Sequence, residues 1–484
     1  SGQTQVATGS ALAVQPVIEV RDSFGNLVAD STDTVVASIS SAQGLTLADG
    51  SQARLENATV DAVNGVATFS NLKLIGLPGV TYTLEFTNIG LTPTPSSNGL
   101  VVKHAAAHHL TLVTQPQGGN ATGSALAGQP VVEVRDQYEN VVTGDSSTTV
   151  SAAIASTSGL TLADASAARV SGATATASSG VVNFSSLTLF GLPATNYQLQ
   201  FAASGLQSSA LSNGIQVTFA AAHHLSIVRQ PVASVTGDEL TTQPIVEIRD
   251  VYENRVFSST ATVTVAVSGA NATLTNTQDA SATALRVAAV NGQATFANLS
   301  LVATPATNYQ LTFASTPLVG ATSSNISVAP AAATAIEMVT QPVGAITGDA
   351  LAVQPRVRLV DRFGNTVTQD NSTVVTASIV SGLGGSLFKT PAAALTATAN
   401  SGVVTFSGLK FQGVPQRDYQ LGFAATGLTS ATSANLRVTH AAASTLVITT
   451  QAAGTITGDA LVTQPVLELH DFDDNLATSD NSTV

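Results

Sequence analysis

Any chemistry this chain performs has to come from its histidines or its clustered carboxylates. The seven histidines are His104, His108, His109, His223, His224, His440 and His470, and all but the last lie in short Ala-rich segments. A His-Ala-Ala-Ala-His-His run offers imidazole nitrogens to a divalent metal. The run is not kept: the third such segment, Ala329-Pro330-Ala331-Ala332-Ala333, has no histidine, and the fourth, His440-Ala441-Ala442-Ala443, has one. These histidines read as solvated linker residues, and no metal is expected. Carboxylates recur at Asp22, Asp136, Asp250 and Asp361 and cluster at Asp471, Asp473 and Asp474. A calcium loop needs several oxygen ligands at tight spacing, and the first four turns offer one or two. The expectation is that each Asp accepts backbone N–H bonds in a turn while the Asn four residues on takes the left-handed conformation.

Catalytic patterns are missing. There is no H-E-x-x-H and no G-x-S-x-G, and the one phosphate-loop lookalike, Gly118 to Gly123, continues into Ser124 and Ala125 where Lys and Ser/Thr are required. The four lysines, Lys73, Lys103, Lys389 and Lys410, leave the middle of the chain without a partner for a Lys–Asn isopeptide bond. An enzyme is therefore not expected, and no cofactor. Eight Asn-x-Ser/Thr sequons occur, of which Asn57, Asn120, Asn271 and Asn371 fall in expected loops and Asn183 in a strand.

Composition narrows the class further. Of the 484 residues 17 are basic and 30 acidic, a net charge of −13, and only 10% are charged. That excludes a basic footprint for nucleic acid. The 44% of hydrophobic residues are mostly Ala, Val and Leu, with one Met and no Trp, which suits sheet filling better than an aromatic ligand pocket. Without cysteine there is no disulfide framework. No stretch of 18 uninterrupted apolar residues is present to span a membrane.

The elements that must position these residues come in repeats. Asp22-Ser23-Phe24-Gly25-Asn26 returns as Asp136 to Asn140, Asp250 to Asn254, Asp361 to Asn365 and a divergent Asp471-Phe472-Asp473-Asp474-Asn475, at steps of 114, 114, 111 and 110. Phe69, Phe184, Phe296 and Phe406 form a second series, each followed 17 residues later by Phe86, Phe201, Phe313 or Phe423. Tyr82, Tyr197, Tyr309 and Tyr419 form a third, each four residues after a proline and four before the second Phe. A unit of about 110 residues is too long for a solenoid repeat and fits one small domain. Before each Asp-turn apolar residues alternate with a charged one, as in Ile18-Glu19-Val20 and Val132-Glu133-Val134. Such alternation is a half-buried strand. Five to seven short strands per unit predict an all-β chain, a tandem array of Ig-like antiparallel β-sandwich domains.

Together, Thr114-Gln115-Pro116, Gln15 to Asp22, Asn64-Gly65-Val66-Ala67-Thr68-Phe69 and the Tyr-x-Leu-x-Phe strands resemble the bacterial immunoglobulin-like repeats of very large surface proteins, the class that includes invasin- and intimin-type stalks. The resemblance runs the length of the chain. It implies an extracellular or cell-surface stalk, fibre or adhesin shaft. It also likens the four tyrosines to the tyrosine corner, whose hydroxyl bonds nearby backbone, with Leu84 where an antibody domain has Cys.

The expected domains are residues 1–105, lacking a first strand, 106–220, 221–330, 331–440 and a partial 441–484. Short linkers predict that neighbouring domains touch. The expected function is a non-catalytic repeat segment of an extracellular filament or surface stalk, with an adhesin recognising a cell-surface ligand as the alternative. Expected partners are copies of the chain or further repeats. The missing strand before Leu12 and the stop at Val484 predict a window on a longer polypeptide, or ends completed by neighbouring chains.

Overall fold

Strand residues obey a period of two. Val132 and Val134 are fully buried, while Glu133 and Arg135 beside them face outward and pair with each other. β-Branched residues suit this half-buried pleat. The computed structural model describes residues 4–478 apart from 42–43, 96–97, 158, 233–234, 280, 282–284 and 455. Among them there is no α-helix. The chain is all-β, a tandem series of Ig-like antiparallel sandwiches, and its contacts group it into two compact units: Ser1–His224 with Ile248–Ser258, and Leu225–Glu247 with Ser259–Val484.

In the first unit, Val131–Arg135 lies between His109–Thr114 and Val181–Asn183, with Leu110 opposite Val134 and Leu112 opposite Val132. The facing sheet places Thr149–Ser156 between Thr174–Thr176 and Gln198–Ala202. Val132, Val134, Val150, Phe184, Leu199 and Phe201 fill the space between them. The same plan occurs earlier in the unit around Thr34–Ile39, which pairs with Thr59–Asp61 and Leu84–Thr87. There, among the described residues, Val17–Glu19 has one partner, Val66–Thr68, where its counterpart Val131–Arg135 has two. Thr4–Ala7 runs parallel to Leu100–Lys103.

In the second unit, Arg356–Val360 lies between Ala335–Thr340 and Val403–Thr405, and Val374–Ser381 between Thr396–Thr398 and Asp418–Ala424. Thr262–Ser268 is flanked in the same way by Arg286–Ala288 and Ala306–Ala314. Thr445–Thr450 pairs with Val466–His470. A bulge recurs at one position, after Leu112, Met338 and Ile448.

Strands are shorter and more numerous than expected: among the described residues eight lie between His109 and Ala202. Left-handed residues such as Ala165 and Gly172 break the middle of the repeat into three-residue pieces, among them Arg169–Ser171 paired with Thr188–Phe190.

Candidate functional site: the Asp-turn joint

The two Phe series meet. Ring centroids of Phe69 and Phe86 are 5.6 Å apart, of Phe184 and Phe201 5.3 Å, of Phe296 and Phe313 5.4 Å, and of Phe406 and Phe423 5.2 Å, all tilted. Such tilted pairs are the favoured aromatic geometry. The hydroxyl oxygens of Tyr82, Tyr197 and Tyr419 accept from the amides of Leu77, Leu192 and Val414 at 2.7–2.9 Å. Tyr309 instead donates to the Thr304 carbonyl. Burial pushes the Tyr197 hydroxyl above its usual pKa. These side chains hold each sandwich together.

The aspartates are placed differently. Asp136 Oδ1 accepts from the amides of Tyr138 and Asn140, and the Asn140 side chain donates to both of its oxygens. Its Oδ2 reaches back to the amide of Ala105, in the short segment between repeats, 2.8 Å away. Asp250 does the same to Ala220, Asp361 to Ala331 and Asp471 to Ala441, at 2.8–3.0 Å. All four are buried, 0–3% exposed, a cost that hydrogen bonding to a charged acceptor must offset. Asp22 makes the turn bonds alone and is exposed. Burial works to raise the Asp361 and Asp471 carboxyls, but the donors gathered round them, led by Asn365 and Asn475, hold both below the usual carboxylate range.

The expectation that the Asn takes the left-handed conformation is wrong. Gly25, Glu139, Glu253, Gly364 and Asp474, one residue earlier, have φ between 64° and 84°. The Asn is held instead by its side-chain bonds to the Asp, so the sharp reversal falls on its predecessor.

The aromatic of the turn docks on the preceding repeat. A Cβ on Gly9 would lie 2.0 Å from the Tyr138 hydroxyl oxygen, one on Gly123 2.0 Å from that of Tyr252, and one on Gly237 2.4 Å from Phe363 Cζ. Only a glycine admits the ring, and its left-handed φ aims the loop. Beside each glycine is a buried threonine, Thr8, Thr122, Thr236 or Thr347, whose hydroxyl accepts an amide from Gly76, Gly191, Ala303 or Gly413. In the fourth joint the aromatic has moved one place, to Phe472. Asp473 takes the ring's place in the sequence and accepts from Gln412 and Thr347, while the Phe472 ring lies 3.3 Å from where a Cβ on Gly348 would sit. Sequence reasoning missed the Thr-Gly loop, although Thr8-Gly9, Thr122-Gly123, Thr236-Gly237, Thr347-Gly348 and Thr457-Gly458 recur at the repeat spacing.

Three histidines also depart from the expected solvated linkers. His109 opens one strand and His223 and His224 lie inside another. His109 Nε2 is 3.1 Å from Glu139 Oε1, and His224 Nε2 is 3.1 Å from Glu253 Oε1, each glutamate being the left-handed turn residue. His104 Nε2 accepts the Gly144 amide. The two glutamate contacts tie each lead-in strand to the Asp-turn of its own repeat, and the His104 contact reaches from the end of one repeat to the next.

No family model and no curated protein matches the chain. Among solved structures, the Escherichia coli adhesin FdeC is 14% identical, covering 69% of this chain and 98% of its own, with a TM-score of 0.30. Invasin, a bacterial integrin-binding protein, is 12% identical over 90% of this chain and 78% of its own, TM-score 0.28. The protocadherin GammaB4 extracellular domain is 11% identical over 97% and 72%, TM-score 0.32. None of these lends a residue of this chain a role.

Proposed function

We propose that this chain is a non-catalytic, architectural repeat segment of an extracellular filament or cell-surface stalk. Its domains are residues 1–105, 106–220, 221–330, 331–440 and 441–484, and its partners are further repeats of its own kind. The observation that carries the reading is the joint, where at four points the same carboxylate-to-amide bond of 2.8–3.0 Å ties an Asp-turn to the short segment through which the chain arrives from the preceding repeat. A binding protein varies its exposed loops, whereas here the repeated residues are spent on neighbour contacts. Negatively stained images of the intact material test it. Uniform fibres support the stalk, and isolated rods whose globular end binds cells replace it with the adhesin.

A further inference from the structure

Two pairs of adjacent histidines set their ring nitrogens against each other. His108 Nδ1 lies 3.2 Å from His109 Nδ1, and one repeat further on His223 Nδ1 lies 3.3 Å from His224 Nδ1. The rings cross steeply, at 82° and 76°. The second imidazole of each pair is held from behind: His109 Nε2 is 3.1 Å from Glu139 Oε1, and His224 Nε2 is 3.1 Å from Glu253 Oε1. Each carboxylate is held in turn, its other oxygen 3.7 Å from Arg135 Nη1 or 3.4 Å from Arg249 Nη1. With Nε2–H donated to the glutamate, the neutral ring of His109 or His224 keeps a lone pair on Nδ1, the atom that faces the neighbouring imidazole.

The repeats change these residues together. Where the second has His108, His109 and Glu139, the fourth has Thr334, Ala335 and Gly364. Glycine is the easier residue at that place in the turn, where φ is left-handed, 66° at Glu139, 65° at Glu253 and 78° at Gly364. Glutamate occupies the strained place in the two repeats that carry the histidine pair. A bond from histidine to glutamate accounts for one imidazole of each pair. It leaves the other, the exposed His108 or His223, unexplained.

We propose that each pair is a binding site for a nitrogen-seeking divalent transition cation, of the zinc, copper and nickel class, held between the two Nδ1 atoms. At metal–nitrogen bonds of about 2.0–2.1 Å, ligands 3.2–3.3 Å apart subtend about 105°, close to the tetrahedral angle. His108 and His223 bind as the tautomer protonated at Nε2, with that N–H in solvent. Glu139 and Glu253 are positioning residues that fix the tautomer and direction of the partner ring and raise its basicity. Among the described residues no group of three His, Cys, Asp or Glu side chains is placed to hold a metal, so each site supplies two ligands and water completes the sphere. The expectation of no metal, drawn from the loss of histidine in the later linkers, is revised at these two pairs. The site rests on this geometry and stands whether or not the stalk reading holds.

The probe is cupric ion, the tightest binder of the divalent series at such sites, titrated into the intact chain and followed by calorimetry and electron paramagnetic resonance. Two equivalents should bind saturably, each with a spectrum split by two nitrogens. His108→Ala should leave one equivalent, and His108→Ala combined with His223→Ala none. Both substitutions replace exposed side chains, and circular dichroism should confirm an unchanged fold. Glu139→Gln should weaken one of the two equivalents about tenfold; an unmoved affinity strikes the glutamates from the site. Copper retained by the double variant, an equivalent lost in the control His440→Ala, spectra showing a single nitrogen, or no saturation at millimolar copper would overturn the proposal and leave each pair as an imidazole–imidazole hydrogen bond.

Discussion

A methyl group on Gly123 would sit 2.0 Å from the Tyr252 hydroxyl oxygen, whereas one on Gly458 would meet nothing within 4 Å. Both glycines are left-handed, so alanine at either costs about 1 kcal/mol of backbone strain. At Gly123 the ring must also move, adding about 1–3 kcal/mol. Calorimetry should therefore show Gly123→Ala lowering the melting temperature well beyond Gly458→Ala; equal shifts would remove the docked tyrosine from the joint. Asp361→Ala strands the amides of Ala331, Phe363 and Asn365 and should cost about 2–4 kcal/mol. The same carboxyl sets a pH dependence. Its folded pKa lies below its unfolded value of about 3.9, so its contribution is complete above that value and is lost as pH falls through the folded one. Melting followed from pH 6 to pH 2 should show this joint's stabilisation constant down to about pH 4 and falling below it, with Asp361→Ala flattening the fall.

At the scale of strands, Phe406→Ala removes one ring of a fully buried pair and should cost about 3–5 kcal/mol of the roughly 5–15 that hold such a domain. A transition of the second unit that melts within a degree of wild type would deny Phe406 a place in the core. Strands of this kind were legible in the sequence because alternation is written directly in residues such as Val132-Glu133-Val134, and burial on one face fixes the phase. The three-residue ribbons were not, since Arg169-Val170-Ser171 carries too few residues to show a period. The joint was legible only in part. Its aspartates stood out by repetition, but whether a carboxylate bonds only its own turn or also an amide about thirty residues earlier depends on tertiary packing that no local pattern records. Thr-Gly carried a readable spacing that attention to chemistry passed over, because glycine offers no functional group.

For the molecule as a whole, the proposed boundaries predict that limited proteolysis opens near residues 105, 221, 331 and 441 and leaves a ladder of about 110-residue steps on a gel. Cuts that begin inside repeats would redraw the domains. The docking contacts carry a further consequence. The first three joints use the same Asp, aromatic, Thr and Gly, so the surface one repeat offers its successor is the surface that the successor offers in turn. Excising or duplicating one such repeat leaves the flanking contacts of the same chemical kind, and no compensating substitution is needed elsewhere. Length in such a gene is then free to drift by whole repeats through unequal recombination, while the shifted aromatic of the fourth joint marks a repeat that would not trade places with the others.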